Sequence, residues 1–297
     1  MIKQLEMLPR VRTTWLRRLA QMTFLGGSLS AAVPILAAPT DIQIEFRLPA
    51  MPRSTSTGYV NHAGARLYYA TYGRGDPVVF LHGGLANSDY WAHQIASVAR
   101  SHRVIVMDSR GHGRSSRDAR PYTYQLMASD VIAVMDHLKL PRSAVVGWSD
   151  GAIIGLVMAM HYPMRTSRVF AFAANMDPSG VNLDATSKPP FSQFIRQAAR
   201  DYRRLSPTPM NYDAFVQAVT RMWEHEPNYK AADLARIAIP VVIADGDRDA
   251  EIKAEHTSYL SRSIPHARLL WFKGGTHFTM MHQPRKFNAE IISFLRK

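Results

Sequence analysis

The stretch that decides the fold reads Ala144-Val-Val-Gly147-Trp-Ser149-Asp-Gly151-Ala-Ile-Ile-Gly-Leu-Val-Met-Ala-Met160. An apolar run leads into Gly147 and a helix-like apolar segment follows Gly151, so Ser149 stands at a sharp turn from a buried strand into a helix. The two glycines leave room for the crowded backbone of such a turn, which lifts the serine hydroxyl clear of the sheet above a helix N-terminus. The pattern predicts a nucleophile; the alternative is a glycine-flanked helix cap with an inert Ser149.

Short, almost wholly apolar runs recur on both sides of this turn, at 77–81, 104–107, 144–146, 169–172, 240–244 and 268–272. Strands without polar alternation are buried on both faces, as in a parallel sheet covered by helices. Segments with apolar residues at helical spacing follow several of these runs, at 125–138, 153–161 and 286–295. The alternation predicts a doubly wound α/β domain over 58–297 that opens with two strands around Ala63-Gly64. A helical segment at about 178–235 interrupts this alternation of strands and helices and is predicted to form a cap.

A serine hydroxyl needs a base, and histidine is the side chain suited to that role near neutral pH. Of the 12 histidines, His277 follows the last apolar run within a glycine-rich loop. Catalytic groups of an open parallel sheet gather at this end of the strands. His266 precedes the same strand and His282 lies in or beside the next helix, so we predict His277 as the base.

A third group is needed to hold the imidazole in the right tautomer. The segment after the penultimate apolar run offers Asp245, Asp247 and Asp249. Spacing alone does not choose among them, and we expect two of the three to stabilise the turn.

Composition excludes several classes of site. The 297 residues include no cysteine, which rules out disulfides, thiolate nucleophiles and cysteine-ligated metals. The net charge of +13 comes from scattered basic residues, which favours a solvated basic surface over a nucleic-acid site. No phosphate-binding loop, dinucleotide fingerprint or metal-ligand cluster is found, so we expect no cofactor.

The N-terminal segment has the pattern of a targeting signal. A basic stretch ending at Arg17-Arg18 is followed by an interrupted apolar stretch and by small residues at Ala37-Ala38, which predicts an export signal over 1–38 and a periplasmic or secreted protein. The alternatives are a true start at Met22 or Met51, which would leave the protein in the cytoplasm, or a retained anchoring tail. Residues 39–57 read as a linker.

The order Ser149, Asp249, His277 resembles the α/β-hydrolase fold family, whose members place nucleophile, acid and histidine in that order. The likeness spans about 58–297 and includes the segments 81–84, 108–115, 147–151, 246–249 and 275–278. It implies an eight-stranded, mostly parallel sheet with a helical cap. It also implies that the acid is the last residue of the G-x-x-D segment, Asp249, with Asp247 as the fallback.

The resemblance further implies an oxyanion hole built from the backbone N–H groups of Asp150 and Gly84. His82 is expected to shape the loop that carries Gly84. A neighbouring charged cluster is expected to be structural and consists of Asp108, Arg110 and His112.

The side chain of Asp150 is the unusual feature of this segment. A carboxylate beside the nucleophile disfavours anionic substrates and could pair with a cationic group, such as the α-amino group of an amino-acid ester. The segment resembles the subgroup typified by valacyclovir hydrolase (biphenyl-hydrolase-like proteins), in which such an aspartate fits amino-group recognition; Ala152 departs from the glycine often found there. The alternative is that Asp150 caps the helix or pairs with an arginine. Trp148 and Met280 are further candidates for substrate contact.

Together these features predict a serine hydrolase that cleaves a small-molecule carboxylic ester, lactone or thioester through an acyl-enzyme. A C–C bond hydrolase or a cofactor-free haloperoxidase or perhydrolase could use the same three residues. A non-enzymatic ligand receptor is the alternative outside enzymology, because fold alone does not fix function.

Overall fold

The computed structural model describes Ile44, Phe46 and residues 48–296. The compact unit that holds them begins at Ile44. The predicted export signal over 1–38 lies outside the described residues and stays a prediction, and the predicted linker over 39–57 is described only in part.

Eight strands form one sheet in the order β1-β2-β4-β3-β5-β6-β7-β8. They are β1 (Ser56–His62), β2 (Ala65–Tyr72), β3 (Asp76–Leu81), β4 (His102–Met107), β5 (Ser143–Trp148), β6 (Thr166–Phe172), β7 (Val241–Gly246) and β8 (Arg268–Phe272). The pairings of β1 with β2 and of β2 with β4 are antiparallel, and the remaining pairings are parallel. The eight-stranded, mostly parallel sheet is therefore confirmed.

Helices fill most of the connections between the strands. They are α1 (Ala92–Val98), α2 (Tyr124–His137), α3 (Asp150–His161), α4 (Phe191–Leu205), α5 (Tyr212–Trp223), α6 (Ala231–Leu234), α7 (Ala254–Ser263), α8 (Thr279–His282) and α9 (Pro284–Leu295). The pairs α2 with α3 and α1 with α9 pack against each other. In the described part of the chain, no helix combines the length and apolar character needed to cross a membrane.

The helix α3 is the centre of the domain. It is buried from Asp150 to Met160, as expected of a helix that is apolar on nearly all sides. A Cβ on Gly155 would lie 3.1 Å from side-chain carbons of both Val145 and Val169, so glycine lets the helix rest close on β5 and β6. This close packing fixes the height of the turn that joins β5 to α3.

The connection from β6 to β7 carries α4, α5 and α6 together with short 3₁₀ turns, where a cap over about 178–235 was predicted. At the other end of the domain, the compact unit begins before the predicted boundary at residue 58. The physical reason is apolar contact: the ring of Phe46 lies 6.0 Å from that of Phe194 and 5.0 Å from that of Phe278, measured between centroids.

Candidate active site

The turn between β5 and α3 holds Ser149 in a backbone conformation that few residues adopt, with φ 54° and ψ −121°. Its N–H donates to the carbonyl of Phe172 at 2.9 Å, which ties the turn to the neighbouring strand. A Cβ on Gly151 would collide with the carbonyl of Leu81, and one on Gly147 would lie 2.5 Å from the backbone nitrogen of Ala152. The two glycines are therefore needed because the backbone itself crowds this turn.

The loops after β7 and β8 bring Asp249 and His277 together. His277 Nδ1 donates to Asp249 Oδ2 at 2.8 Å, and the two side chains are 3% and 2% exposed. The other oxygen of Asp249 accepts the backbone N–H groups of Glu251 and Ile252 at 2.7 and 3.0 Å. The bond to Asp249 places the proton on Nδ1 and leaves Nε2 as the ring nitrogen able to take a proton.

Electrostatics keep Asp249 ionised and make His277 a stronger base. Burial alone would raise the pKa of Asp249, but the charge and hydrogen bond of His277 outweigh burial and lower that pKa to about 2. Burial lowers the pKa of His277, and Asp249 more than compensates, so that the pKa of the imidazole is raised. An opposite charge at hydrogen-bond distance favours the charged state of both groups.

The other two aspartates of the loop have different surroundings. Asp245 is buried, accepts the hydroxyl of Thr257 at 2.7 Å, and has a pKa well above its usual range because of burial and the charge of Asp249. Asp247 is exposed and accepts the N–H of Gly274 at 2.7 Å. Of the three candidates, the structure brings only Asp249 into hydrogen-bond contact with His277.

Trp148 links the turn to the His277 loop. Its indole lies 5.9 Å from the imidazole of His277 between ring centroids, and Ser149 follows it in the chain. Within the described part of the chain the Ser149 hydroxyl makes no hydrogen bond. Hydrogen bonds between catalytic side chains are often long in the absence of substrate and shorten in the complex with substrate.

Gly84 and Asp150, the two residues predicted to supply the oxyanion donors, lie close together. Asp150 is the first residue of α3, so its N–H has no acceptor within the helix. Gly84 is buried in the loop after β3, and a Cβ there would lie 2.7 Å from Asp150 Oδ2. A larger residue would not fit, because the ring of Trp223 also contacts this position.

The side chain of Asp150 neither caps the helix nor pairs with an arginine. Trp223 Nε1 donates to both of its oxygens, at 3.1 and 2.9 Å, and the hydroxyl of Tyr124 donates to Oδ1 at 2.9 Å. Burial raises the pKa of Asp150 to about 6, and the hydrogen bonds from Trp223 and Tyr124 limit the rise. The roles of Trp223 and Tyr124 could not be predicted from the sequence, since they depend on contacts across 73 and 26 residues.

The loop residues that were expected to be structural make structural contacts. His82 Nδ1 donates to the carbonyl of Gly83 at 2.8 Å, and its Nε2 accepts the N–H of Ser109 at 3.0 Å. Asp108 accepts the N–H groups of Ser88 and Arg114, both at 2.7 Å. Arg110 is paired with Asp130, and His112 Nδ1 donates to the carbonyl of Arg110, so both also make structural contacts.

Aromatic rings surround His277 on the side of the cap. Trp148 packs edge-to-face against Phe194 and Phe278, and the ring of Phe191 lies 6.3 Å from that of His277. Met280, the other candidate for substrate contact, is fully buried in α8, where its carbonyl accepts the side chain of Gln94. The structure therefore places Met280 in the core and Trp148 beside the imidazole.

One oxygen of Asp249, one of Glu251 and a ring nitrogen of His277 lie within 4.8 Å of one another, a spacing that a metal ion could bridge. Two of these residues are already joined, since His277 Nδ1 donates to Asp249 Oδ2 at 2.8 Å. A metal would have to break that bond, so we assign these residues to the histidine–aspartate pair.

Comparisons with known proteins support the fold. A family model described as alpha/beta hydrolase fold matches residues 76–211. The 3-oxoadipate enol-lactonase 2 of Acinetobacter baylyi is 27% identical over 254 residues, which cover 78% of this chain and 93% of its own. The human Serine hydrolase BPHL is 25% identical, with 82% of this chain and 87% of its own covered.

Among solved structures, Est816, described as an N-acyl homoserine lactone degrading enzyme, superposes with a TM-score of 0.64. Its sequence is 25% identical, and the match covers 80% of this chain and 99% of that one. This chain is thus similar to hydrolases of small molecules along most of its described length.

Proposed function

This chain belongs to the α/β-hydrolase superfamily, and from that premise we propose that it is a serine hydrolase that cleaves a carboxylic ester or lactone. One observation carries the proposal. The strained turn presents Ser149 after β5, while the loops after β7 and β8 deliver a buried His277–Asp249 pair joined at 2.8 Å. That combination suits nucleophilic acyl transfer.

In the proposed reaction, the Ser149 oxygen attacks the substrate carbonyl as His277 Nε2 takes the hydroxyl proton. The N–H groups of Gly84 and Asp150 stabilise the oxyanion of the tetrahedral intermediate. The C–O bond then breaks, and His277 returns its proton to the leaving alkoxide, which departs as an alcohol. Water, activated by the same imidazole, hydrolyses the acyl-enzyme and releases the acid.

The substrate class is supported by two kinds of observation. The names of the enol-lactonase and of Est816 both point to lactones, which are cyclic esters that this mechanism opens directly. The aromatic side chains around His277 favour an apolar acyl or alcohol group, since they would bury it against rings. A thioester would undergo the same two steps.

We further propose that Asp150 selects substrates with a cationic group near the scissile carbonyl. Its carboxyl is buried beside Gly84, and in the described part of the chain no lysine, arginine or histidine nitrogen lies within 4.0 Å of it. Trp223 and Tyr124 hold it in place without neutralising its charge. The competing explanation is that Asp150 only fastens α5 to the core through Trp223.

The test is hydrolysis of p-nitrophenyl acetate, butyrate and octanoate, of a lactone, and of an α-amino ester by the full chain and by Ser149→Ala. We expect activity in the parent and a loss of about 10⁴-fold or more in the variant, because the nucleophile is removed. Equal activity in both proteins would contradict the proposal.

Asp150→Asn separates the two explanations of Asp150. Asparagine keeps an acceptor for Trp223 but removes the negative charge. If the charge recognises substrate, kcat/KM falls about tenfold or more for the amino ester and stays within about threefold for butyrate. A uniform fall across the panel would favour the fastening explanation, and Glu224→Gln, an exposed change of the same charge just after α5, is the control.

A further inference from the structure

Glu251 is a buried carboxyl that the proposed reaction does not use. It lies two residues after Asp249 and is 3% exposed. Neither of its carboxyl oxygens has a hydrogen-bond donor in the described part of the chain. Its backbone N–H donates to Asp249 Oδ1. A buried carboxylate without a donor or a cation is costly, which favours the neutral acid.

The neighbours of Glu251 are the two groups that matter most to the proposed reaction. One of its oxygens lies within 4.8 Å of an Asp249 oxygen and of a His277 ring nitrogen. Asp245, also buried, lies at the end of the adjacent strand. Asp249 and Glu251 therefore lie beside one imidazole, with Asp245 beside Asp249, and like charges this close cannot all ionise.

Other elements bring further titratable groups to this region. From the start of α3, Asp150 acts on the charge of His277. The segment 177–182 packs on the Glu251 loop through the N–H of Asn182, which donates to the Glu251 carbonyl at 2.8 Å. That segment carries Asp177, 4.0 Å from His256 of α7. No lysine, arginine or histidine nitrogen of the described residues lies within 4.0 Å of the Glu251 carboxyl, and the nearby Lys253 is exposed.

Asp249 has room for one more hydrogen bond. A carboxylate offers about four acceptor sites. Oδ1 accepts the N–H groups of Glu251 and Ile252, and Oδ2 accepts His277 Nδ1. One site on Oδ2, the oxygen that orients the imidazole, is left, and the two buried acids beside Asp249, Asp245 and Glu251, compete for it.

We propose that Glu251 is a positioning residue, whose protonated carboxyl donates a hydrogen bond to Asp249 and holds that carboxylate against His277. The inference rests on the proposed function, since it concerns the same histidine–aspartate pair. Glu251 contacts neither substrate nor the reacting atoms; it acts through Asp249.

The proposal has a pH signature. Burial raises the pKa of Glu251 to about 8, against the opposing charge of His277 and with the charge of Asp249 adding to the rise. At neutral pH the group is therefore a hydrogen-bond donor. Above that value it loses its proton to solvent and becomes a second negative charge beside Asp249, which disturbs the alignment with His277.

The experiment compares kcat and KM of the parent, Glu251→Gln and Glu251→Leu from about pH 5 to about pH 10 on a p-nitrophenyl ester. Glutamine donates like the protonated acid but cannot ionise. We expect the parent activity to decline near pH 8, and Glu251→Gln to keep the neutral-pH activity within about threefold without that decline. Glu251→Leu removes the donor, so at neutral pH, where the parent still has it, kcat falls about tenfold or more while KM changes less than about twofold.

Glu255→Gln is the matched control, because it removes one carboxylate from the same region at an exposed position. It should keep the alkaline decline of the parent. A decline that persists in Glu251→Gln, or a parent without one, overturns the proposal. Melting curves at each pH verify that every variant is folded.

A second readout does not depend on turnover. The proton resonance of His277 Nδ1–H, assigned by its loss in His277→Gln, is followed by NMR in Ser149→Ala with and without Glu251→Gln. We expect it to shift or broaden near pH 8 only where Glu251 is present. If Ser149→Ala is as active as the parent, the proposed function fails while the NMR titration still decides the role of Glu251.

Discussion

Arg110–Asp130 and His277–Asp249, two buried pairs in the described part of the chain, have opposite designs. Arg110 and Asp130 are each 1% exposed and are joined by two parallel hydrogen bonds of 2.6 Å. His277 and Asp249 are buried to a similar degree but share a single bond of 2.8 Å. The first pair lies between the loop after β4 and α2, and the second lies between the loops after β7 and β8.

The difference between the pairs lies in what the cation can do. The fork of Arg110 matches the carboxylate, and a guanidinium does not release its proton in proteins, so this pair fixes structure. An imidazole holds one proton on Nδ1, leaves Nε2 available, and changes charge near neutral pH. The His277–Asp249 pair therefore suits the proton transfer proposed above, whereas the guanidinium of the Arg110–Asp130 pair keeps its proton.

The largest expected effect concerns Asp249→Asn. The asparagine amide would donate to Nδ1 and select the wrong tautomer of His277, so we expect kcat to fall about 10⁴-fold with little loss of stability. Ester hydrolysis at neutral pH measures it. Asp247→Asn, an exposed change in the same loop, should stay within about twofold. Retention of more than about a tenth of the activity by Asp249→Asn would remove Asp249 from the proposed mechanism.

The second prediction concerns the Arg110–Asp130 pair. Arg110→Met leaves Asp130 buried without its cation, so the free energy of unfolding should fall by about 3–5 kcal/mol, while the folded fraction keeps its kcat within about threefold. Urea unfolding measures the loss. The double variant Arg110→Met/Asp130→Leu should recover part of it, because no charge is then left unpaired. If the free energy of unfolding fell by less than about 1 kcal/mol, the buried pair would contribute no more to stability than an exposed salt bridge does.

The smallest expected effect is the pH dependence of stability. The pKa of His277 is raised in the folded protein, so its contribution is complete below the ordinary histidine value of about 6.5 and is lost as pH rises through the folded value. Melting temperatures of the parent should therefore fall more steeply between about pH 6 and about pH 9 than those of His277→Gln. The difference in stability between the parent and His277→Gln should be smaller than the loss in Arg110→Met. Parallel plots of melting temperature against pH would show that protonation of His277 is not linked to folding.

Local sequence was enough to predict the parts of the site that belong to single loops. Ser149 followed from glycines flanking a strand-to-helix turn, and His277 from its place after the last strand. Asp249 could not be separated from Asp245 and Asp247 by spacing, because all three share one turn; the resemblance to a family singled it out. The hydrogen bond to His277 depends on how two loops meet in space.

The partners of Asp150 could not be predicted for the same reason. Trp223 belongs to the segment between β6 and β7, and Tyr124 begins α2, so only the packing of these elements brings them to one carboxylate. Glu251 did carry a signal, a second acid two residues after Asp249, but its burial without a donor is a property of the folded loop.

By itself, the sequence determined the α/β class, the strand-to-helix turn with Ser149, and the loop with His277, because apolar periodicity and glycine placement act over a few residues. Only the tertiary structure decided which aspartate meets His277, what holds Asp150, and which carboxyl is left without a partner. Those outcomes depend on side chains from distant segments competing for the same few hydrogen-bond sites in a buried space, where each unmet donor or acceptor is costly.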